Sequence, residues 1–256
     1  MSKHSGTAGT IGSDVTLMSV LEGLYELEEA GVTELSDRLD VSKGTVHKHL
    51  KTLEREGYVE RSDGEYSLGL AFFRLGGQVR NRNRLCFMAK ERVETVATET
   101  TEMTKFAIEH GGVGVWIYFY NDHYEMRREL HVGGEFKLHQ NATGKAILAE
   151  LPDERVHEIL DEEGLAARTE RTVTDRAELF AQLAEVREAG LARSAGEFRE
   201  GGISVAAPVR DPGSGTLGAI SLASPSAKTG PEELSEAHGE LLLDTARRLE
   251  LQLRYV

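Results

Sequence analysis

The first seventy residues carry patterns in a fixed order: a helix, a second helix, a tight turn, a third helix and a β-hairpin. In the first helix, apolar side chains recur at three- and four-residue spacing, the period of an amphipathic helix. They are Val15, Met18, Leu21, Leu24, Tyr25 and Leu27. Ser13 or Asp14 would cap this helix, and Gly31 would end it. The order of the parts constrains the fold more than any single part does.

Two short helices joined by a turn follow. Thr33 begins a helix over residues 34–39, and Ser42 then caps a third helix that runs to residue 56 and stops at Gly57. Such a pair, with an amphipathic second member, is a helix-turn-helix motif. Alternating segments around the Asp63-Gly64 turn predict a β-hairpin directly afterwards. A hairpin in this position makes the motif a winged helix.

The third helix has one apolar and one basic face. Val46, Leu50 and Leu53 share a stripe that must pack inward, and the basic side chains point the opposite way. Residues 43–55 carry four basic side chains against Glu54 alone, a net charge of +3. We predict that this face binds double-stranded DNA as a recognition helix. The alternative is a solvated helix face that happens to be basic. The predicted DNA-binding residues are Thr33, Ser42, Lys43, Gly44, Thr45, His47, Lys48, Lys51, Arg55 and Arg61.

The overall charge opposes this interpretation. With 43 acidic and 30 basic side chains the chain carries a net charge of −13, whereas DNA phosphates demand positive charge. Residues 1–80 carry 9 basic and 13 acidic groups, so even this part is net −4. Only nine of the 30 basic residues are lysines. A lysine-poor, acidic composition is typical of proteins from cells with concentrated salt, although an ordinary acidic protein fits as well. A second basic run, between residues 74 and 92, would contact either DNA or the acidic second domain.

Cysteine content and hydropathy exclude several classes. The single cysteine, Cys86, excludes a disulfide framework and a multi-thiolate metal site, and is most simply a buried apolar residue. No apolar run approaches the ~18–20 residues that span a bilayer, and the N-terminus lacks a hydrophobic signal segment. The histidines show no zinc-site spacing, and no nucleophile elbow or Walker motif occurs. We therefore expect a cytoplasmic protein without membrane, metal or cofactor.

The rest of the chain alternates strands and helices, which predicts an α/β (α+β) domain with a central sheet and flanking helices. We expect strands at residues 104–108, 113–120, 123–130, 136–139, 203–209 and 217–223. We expect helices at residues 144–150, 153–162, 176–189 and 232–255. Small residues at 141–144 lead directly into the first of these helices, where free backbone N–H groups could bind a carboxylate. The alternative is an ordinary capped helix start. Lys145 would pair with the ligand, be a solvated side chain or form a structural ion pair.

Six segments together resemble the IclR family of transcriptional regulators. The N-terminal ones are residues 41–50 (VSKGTVHKHL), 53–60 (LEREGYVE) and 66–69 (YSLG), which match the family's winged helix. The others are residues 138–149 (LHQNATGKAILA), 201–209 (GGISVAAPV) and 218–223 (GAISLA). All fall in the family's order, from about residue 14 to the end.

The resemblance implies a winged helix-turn-helix domain (residues 13–76) after a disordered tail (1–12), a linker helix (77–92) and a GAF-like ligand-sensing domain (93–256). It further implies a homodimer or homotetramer that binds a palindromic operator and answers to a small organic acid, aromatic acid or sugar-derived metabolite. With the acidic composition, it suggests a halophilic archaeal source. The alternative function is a metabolite-binding protein or enzyme whose winged helix mediates protein contacts.

The resemblance also places the effector pocket. Serines at 194 and 204, where the family often has an acidic residue and a cysteine, favour a polar, anionic or hydroxylated ligand. The predicted effector residues are Met126, Arg128, His139, Ala142, Thr143, Gly144, Ser194, Ser204, Ser221 and Ala223.

Overall fold

The computed structural model describes residues 11–120 and 131–255. The chain divides into two compact units, Met1–Val79 and Arg80–Val256, which are described separately below. Within the described residues, no helix is long and apolar enough to cross a membrane.

The first unit has a winged-helix arrangement. Its helices are α1 (Gly12–Leu27), α2 (Val32–Leu39) and α3 (Lys43–Arg55), and α4 (Ala71–Arg82) begins in this unit. Its strands are β1 (Glu29–Ala30), β2 (Val59–Ser62) and β3 (Glu65–Leu68). Leu24 of α1, Leu35 of α2 and Leu50 of α3 are fully buried in one core, as the apolar periodicity predicts. Each such leucine contributes about 1.5–3 kcal/mol through burial.

Both ends of α1 differ from the prediction. Ile11 precedes the helix, and neither Ser13 nor Asp14 caps it. The helix ends at Leu27 rather than at Gly31 because Glu29 and Ala30 leave it to pair with β3, opposite Ser67 and Tyr66. The described residues of this unit therefore form a three-stranded sheet in the order β1-β3-β2 rather than a hairpin alone.

The predicted hairpin is confirmed at its turn. Ser62 pairs with Glu65, so Asp63 and Gly64 form a two-residue loop. Both have positive φ, +51° and +95°, as a type I′ turn requires.

The second unit is built around an antiparallel sheet. Its strands are β4 (Met103–His110), β5 (Val113–Tyr120), β6 (Glu135–Lys137), β7 (Ala192–Ala195), β8 (Gly202–Arg210) and β9 (Leu217–Pro225). Their order among the described residues is β6-β5-β4-β9-β8-β7. Its helices are α5 (Arg84–Thr100), α6 (Ala142–Ala149), α7 (Asp153–Glu163), α8 (Arg176–Ala189) and α9 (Pro231–Arg254). Helices α5 and α9 cover one face of the sheet, and α6, α7 and α8 cover the other.

Several local predictions need comment. The predicted strand at 123–130 lies outside the described residues. Strand β7 was not predicted, and residues 138–140 form a 3-10 turn rather than the end of a strand. Helix α5 runs continuously across residues 92 and 93, where the sequence suggested a domain boundary. Its Cys86 lies in the core, as expected, and burial raises the pKa of the thiol to about 12.

Candidate DNA-binding surface and effector cavity

The basic face of α3 is open to solvent. Lys43, His47, Lys48 and Lys51 are exposed, while Val46, Leu50 and Leu53 are buried on the opposite side. Ser42 caps the helix as predicted, since its Oγ accepts the Thr45 N–H at 3.3 Å. The remaining free backbone N–H groups of the first turn therefore lie beside Lys43, as in a phosphate-binding surface.

Gly44 sits in this exposed turn without a packing reason. A Cβ built there would meet no described atom within 4 Å. Glycine in a helix costs about 1 kcal/mol of stability relative to alanine. Packing within the first unit therefore does not explain why glycine stands at position 44. Close approach of a DNA backbone would.

The remaining predicted DNA-binding residues flank α3. Thr33 is exposed in the first turn of α2, and Arg61 is exposed on β2 with its guanidinium carbon 5.4 Å from the Tyr66 ring centroid. Arg55 at the end of α3 is already paired, with its Nε 2.9 Å from Glu56 Oε1. The local positive charge therefore rests on the three lysines of α3.

The second basic run is partly used within its own unit. Arg84 donates to the Leu253 carbonyl at 2.6 Å, and Arg92 to Gln252 Oε1 at 3.3 Å. Arg80 lies 5.4 Å from the Tyr118 ring centroid. For these three arginines, the structure favours contacts within the second unit over the DNA alternative.

A cavity of about 70 Å³ opens in the second unit on the α6 side of the sheet. One water molecule needs roughly 10–15 Å³ by the same measure, so the cavity has room for a compact ligand. It is lined by Met103, Lys105, Asn141, Phe198, Arg199, Gly201, Gly202, Ile203, Ser204, Ala223, Ser224 and Pro225.

A network of contacts holds the wall of the cavity that carries Phe198 and Arg199. The Thr172 hydroxyl donates to the Glu197 carbonyl at 2.7 Å, and Arg168 Nε donates to the Phe198 carbonyl at 2.9 Å. The Arg168 guanidinium also lies 4.1 Å from the Phe198 ring centroid. The Lys145 ammonium, 2.7 Å from Glu197 Oε1, ties the same wall to α6.

Two family models match the chain over most of its length. The model described as the bacterial transcriptional regulator IclR C-terminal domain matches residues 78–251. The chain belongs to the IclR family. The model of the IclR helix-turn-helix domain matches residues 17–63, which contain α2 and α3.

Relatives of similar length support the assignment. The chain is 31% identical over 252 residues to the transcriptional regulator KdgR of Escherichia coli, covering 96% of this chain and 94% of the relative. It is 28% identical over 254 residues to the probable transcriptional regulator ArcR of Halobacterium salinarum, covering 98% and 97%. The crystal structure of an IclR regulator from Alicyclobacillus acidocaldarius superposes with a TM-score of 0.79 at 27% identity, covering 94% of this chain and 98% of that one. The fold is thus that of an IclR regulator, with an N-terminal helix-turn-helix domain and a C-terminal effector domain.

The structure places the effector residues that the IclR resemblance suggested in several different locations. Ser204 and Ala223 line the cavity and pair with each other across β8 and β9. Ser194 borders a separate concavity of about 640 Å³ beside Lys145. Met126 and Arg128 lie outside the described residues.

Other predicted effector residues make contacts within the second unit that hold α6 in place. Ala142 is fully buried in the core. The Thr143 hydroxyl donates to Ser221 Oγ at 2.9 Å, joining α6 to β9. A Cβ on Gly144 would lie 2.0 Å from the Leu138 carbonyl oxygen, so the IclR motif needs glycine here for packing. Lys145 is in a structural ion pair, one of the alternatives that the sequence left open.

Several lining residues were not predicted, notably Lys105 and Asn141. Lys105 lies within the apolar strand β4, and Asn141 begins the motif on which the prediction centred. The prediction of a ligand site at that motif depends on the backbone N–H groups of its small residues and does not extend to the Asn141 side chain.

His139 makes the stability of the second unit depend on pH. Its Nε2 lies 3.1 Å from the Ala166 carbonyl oxygen, and burial holds the pKa of the imidazole below its usual value. As pH falls through about 6.5, a histidine in the unfolded chain takes up a proton, whereas His139 in the folded chain does not. The stability that neutral His139 contributes above this pH is therefore lost as pH falls toward the folded-state pKa. We expect the free energy of unfolding to decrease between pH 7.5 and 5.5, measured by urea titration.

The control for this prediction is His139→Gln, which keeps a side-chain N–H donor but does not titrate. Its stability should decline less over the same pH interval. An equal decline in both proteins would show that His139 does not cause the effect.

Proposed function

We propose that this IclR-family protein is an operator-binding regulator whose DNA affinity changes when a small organic acid binds in the second unit. The exposed basic face of α3, on a protein of net charge −13, carries the proposal. Since the surrounding surface repels phosphates, a local concentration of lysines around Gly44 is best explained by DNA. Binding of the acid and of the operator would then be coupled reciprocally.

An anionic effector suits the cavity lined by Ser204 and Ala223. Of the described residues that line it, Lys105 and Arg199 are basic and none is acidic. These two cations and the Ser204 hydroxyl agree with the expectation of an anionic or hydroxylated ligand, whereas Ser194 borders the other concavity. We propose that the protein acts by binding alone, without catalysis or a cofactor, in the cytoplasm where operator DNA is found.

The test is recovery of genomic DNA on the immobilised protein, followed by affinity measurements on the recovered fragment with and without small organic acids. Selective recovery and an acid-dependent change in affinity are expected. Turnover of an acid without sequence-selective DNA binding would instead support the alternative, an enzyme whose winged helix contacts other proteins.

We propose a homodimer or homotetramer, which would match a palindromic operator. Apolar side chains are exposed on two helices of the first unit, as expected where a second copy packs. They are Val15 and Met18 on α1, and Phe73 and Val79 on α4. We expect a solution mass, by light scattering, of at least twice the 28.2 kDa of one chain. Phe73→Glu should shift the mass toward the monomer, and an unchanged mass would exclude α4 from the interface.

The acidic composition and the similarity to the Halobacterium salinarum relative support a halophilic archaeal origin. With few cations on its DNA-binding face, operator binding should lose no more affinity with added salt than those cations allow. Three lysines of α3 and Arg61 of the wing give about eight phosphate contacts per dimer, so a plot of log affinity against log salt should be shallower than about −7. A steeper slope would show that additional cations contact DNA.

A further inference from the structure

Strand β7 leaves one edge of the sheet open. It is the last strand of the described sheet and pairs with β8 alone. The Gly196 N–H donates to the Gly202 carbonyl at 2.7 Å, and this pair continues the register of β7 on β8. Directly opposite residues of an antiparallel pair alternate between bonded and non-bonded positions. Arg193 and Ala195 therefore turn their main-chain N–H and C=O groups away from β8.

The concavity of about 640 Å³ in the second unit lies along this open edge. Arg193, Ser194 and Ala195 all line it, although consecutive side chains of a strand point to opposite faces of the sheet. A concavity that all three residues border must therefore follow the strand edge. It forms a groove, with α8 as the wall on one face of the sheet and the start of α9 as the wall on the other.

The side chains of β7 do not shield the open edge. Proteins commonly protect such an edge with charged side chains or a covering segment. Ala195 is small, and the Arg193 guanidinium is turned toward α9, where it donates to Ser235 Oγ at 3.0 Å. Ser194 is only 5% exposed and lines the groove, and its hydroxyl makes no hydrogen bond to a described residue. A nearly buried hydroxyl without a partner calls for a ligand group that completes it.

The walls of the groove are acidic. Glu185 and Glu188 of α8 and Glu232 of α9 line it, and all three are exposed and form no ion pair with a described residue. Four acidic and two basic side chains line the groove in total. A partner that binds here must therefore bring positive charge.

The charge also distinguishes between two occupants. A second copy of the chain, related by a two-fold axis, would bring the same acidic walls against each other, and like charges in an interface are unfavourable. We propose that the open edge of β7 binds an extended, lysine-rich segment of another protein, which adds to the sheet as an antiparallel strand. The inference concerns a surface outside the effector cavity and does not depend on the proposed function.

The register assigns a role to each residue of the added strand. A residue opposite Ser194 would direct its side chain toward α8, where Glu185 and Glu188 lie, and its main chain away from β7. Its two neighbours would direct their main chains toward Arg193 and Ala195. In a segment of alternating lysine and valine, the lysines would contact the carboxylates and the valines would bond β7 through their main chains.

Matched peptides test this arrangement by calorimetric titration into the full chain. The parent is acetyl-TKVKVKT-amide. Methylation of both valine nitrogens removes the N–H groups that face β7 and should weaken binding roughly tenfold, as the loss of two hydrogen bonds gives. Methylation of two lysine main-chain nitrogens, which face away, should leave the affinity within about threefold. Acetyl-TEVEVET-amide, with the opposite charge, should bind at least tenfold more weakly than the parent.

A substitution on β7 tests the strand edge itself. Ala195→Pro removes the outward N–H but no bond to β8, and proline is tolerated on edge strands in this orientation. It should weaken binding of the parent peptide roughly tenfold. The matched control, Ala195→Ser, keeps the N–H and should bind as the unmodified protein does.

A second pair of variants tests the acidic wall. Glu185→Gln/Glu188→Gln should weaken binding of the parent peptide severalfold. The control Glu91→Gln/Glu94→Gln changes two exposed glutamates of the same spacing on α5 and should have no effect. Fluorescence of Trp116, the single tryptophan, confirms that each variant is folded.

Equal binding of the valine-methylated and parent peptides, or of Ala195→Pro and Ala195→Ser, would overturn the strand addition. Equal binding by the two glutamine pairs would overturn the charge recognition. Failure of the parent peptide to bind would overturn the inference as a whole. If Ala195→Pro then also lowered the solution mass, a second copy would be the occupant of the edge.

Discussion

Replacing Lys48 or Lys51 with alanine should weaken operator binding by about ten- to a hundredfold. Each lysine is exposed on α3, and a charge-assisted hydrogen bond to a phosphate contributes about 1.5–3 kcal/mol. The double variant should bind more weakly than either single variant, on the operator and on unrelated DNA alike, because phosphate contacts do not depend on sequence. Fluorescence anisotropy with the recovered genomic fragment measures the loss.

The control for these variants is Arg247→Ala, which removes one exposed positive charge from α9 in the second unit. It changes the net charge equally and should leave operator affinity within about twofold. All three proteins should unfold at the same urea concentration, since surface substitutions rarely change stability by more than about 0.5 kcal/mol. Retained affinity in both lysine variants would remove α3 from the DNA interface.

The structure shows which part of this acidic protein carries the positive charge that DNA binding needs. The net charge of +3 on residues 43–55 counts Arg55, but that guanidinium is paired with Glu56. The useful charge lies in the first two and a half turns of α3, next to the Ser42 cap and Gly44. This short stretch can contact fewer phosphates than a broadly basic domain. Contacts to the bases and recognition of DNA shape should therefore contribute more of the affinity.

The winged helix was predictable because its signals are local. The cap at Ser42 and the Asp63-Gly64 turn each depend on residues adjacent in the chain. Strand β1 was missed for the opposite reason. Glu29 and Ala30 have no pattern of their own and become a strand only by pairing with β3, about 37 residues later.

The effector cavity was predictable only in part. Ser204 and Ala223 follow from motifs on two strands, and the strands bring them together. Lys105 lies on a third strand with no motif, and its burial at the cavity depends on the packing of β4 beside β9. Thr143 and Gly144 stay predicted effector residues, and the structure adds that the Thr143 hydroxyl bonds Ser221 and that Gly144 packs closely against Leu138.

Replacing Lys145 with methionine should lower the free energy of unfolding of the second unit by about 3–5 kcal/mol. The ammonium lies 2.7 and 2.9 Å from the two Glu197 oxygens and 3.0 Å from Gln182 Oε1. The Lys145 side chain is 3% exposed and that of Glu197 10%. Removing one partner of a buried ion pair leaves the other charge without compensation, and this accounts for the size of the effect.

Urea titration followed by Trp116 fluorescence measures this change, because the only tryptophan is fully buried in the second unit. The matched control is the double variant Lys145→Met/Glu197→Leu, in which no buried charge remains. It should recover most of the lost stability, since apolar residues of similar volume often replace a buried ion pair without cost. If Lys145 served the ligand instead, Lys145→Met would weaken acid binding and leave the unfolding transition unchanged. The ion pair ties α6 to the wall that carries Phe198, so the single variant should also loosen the effector cavity through its wall.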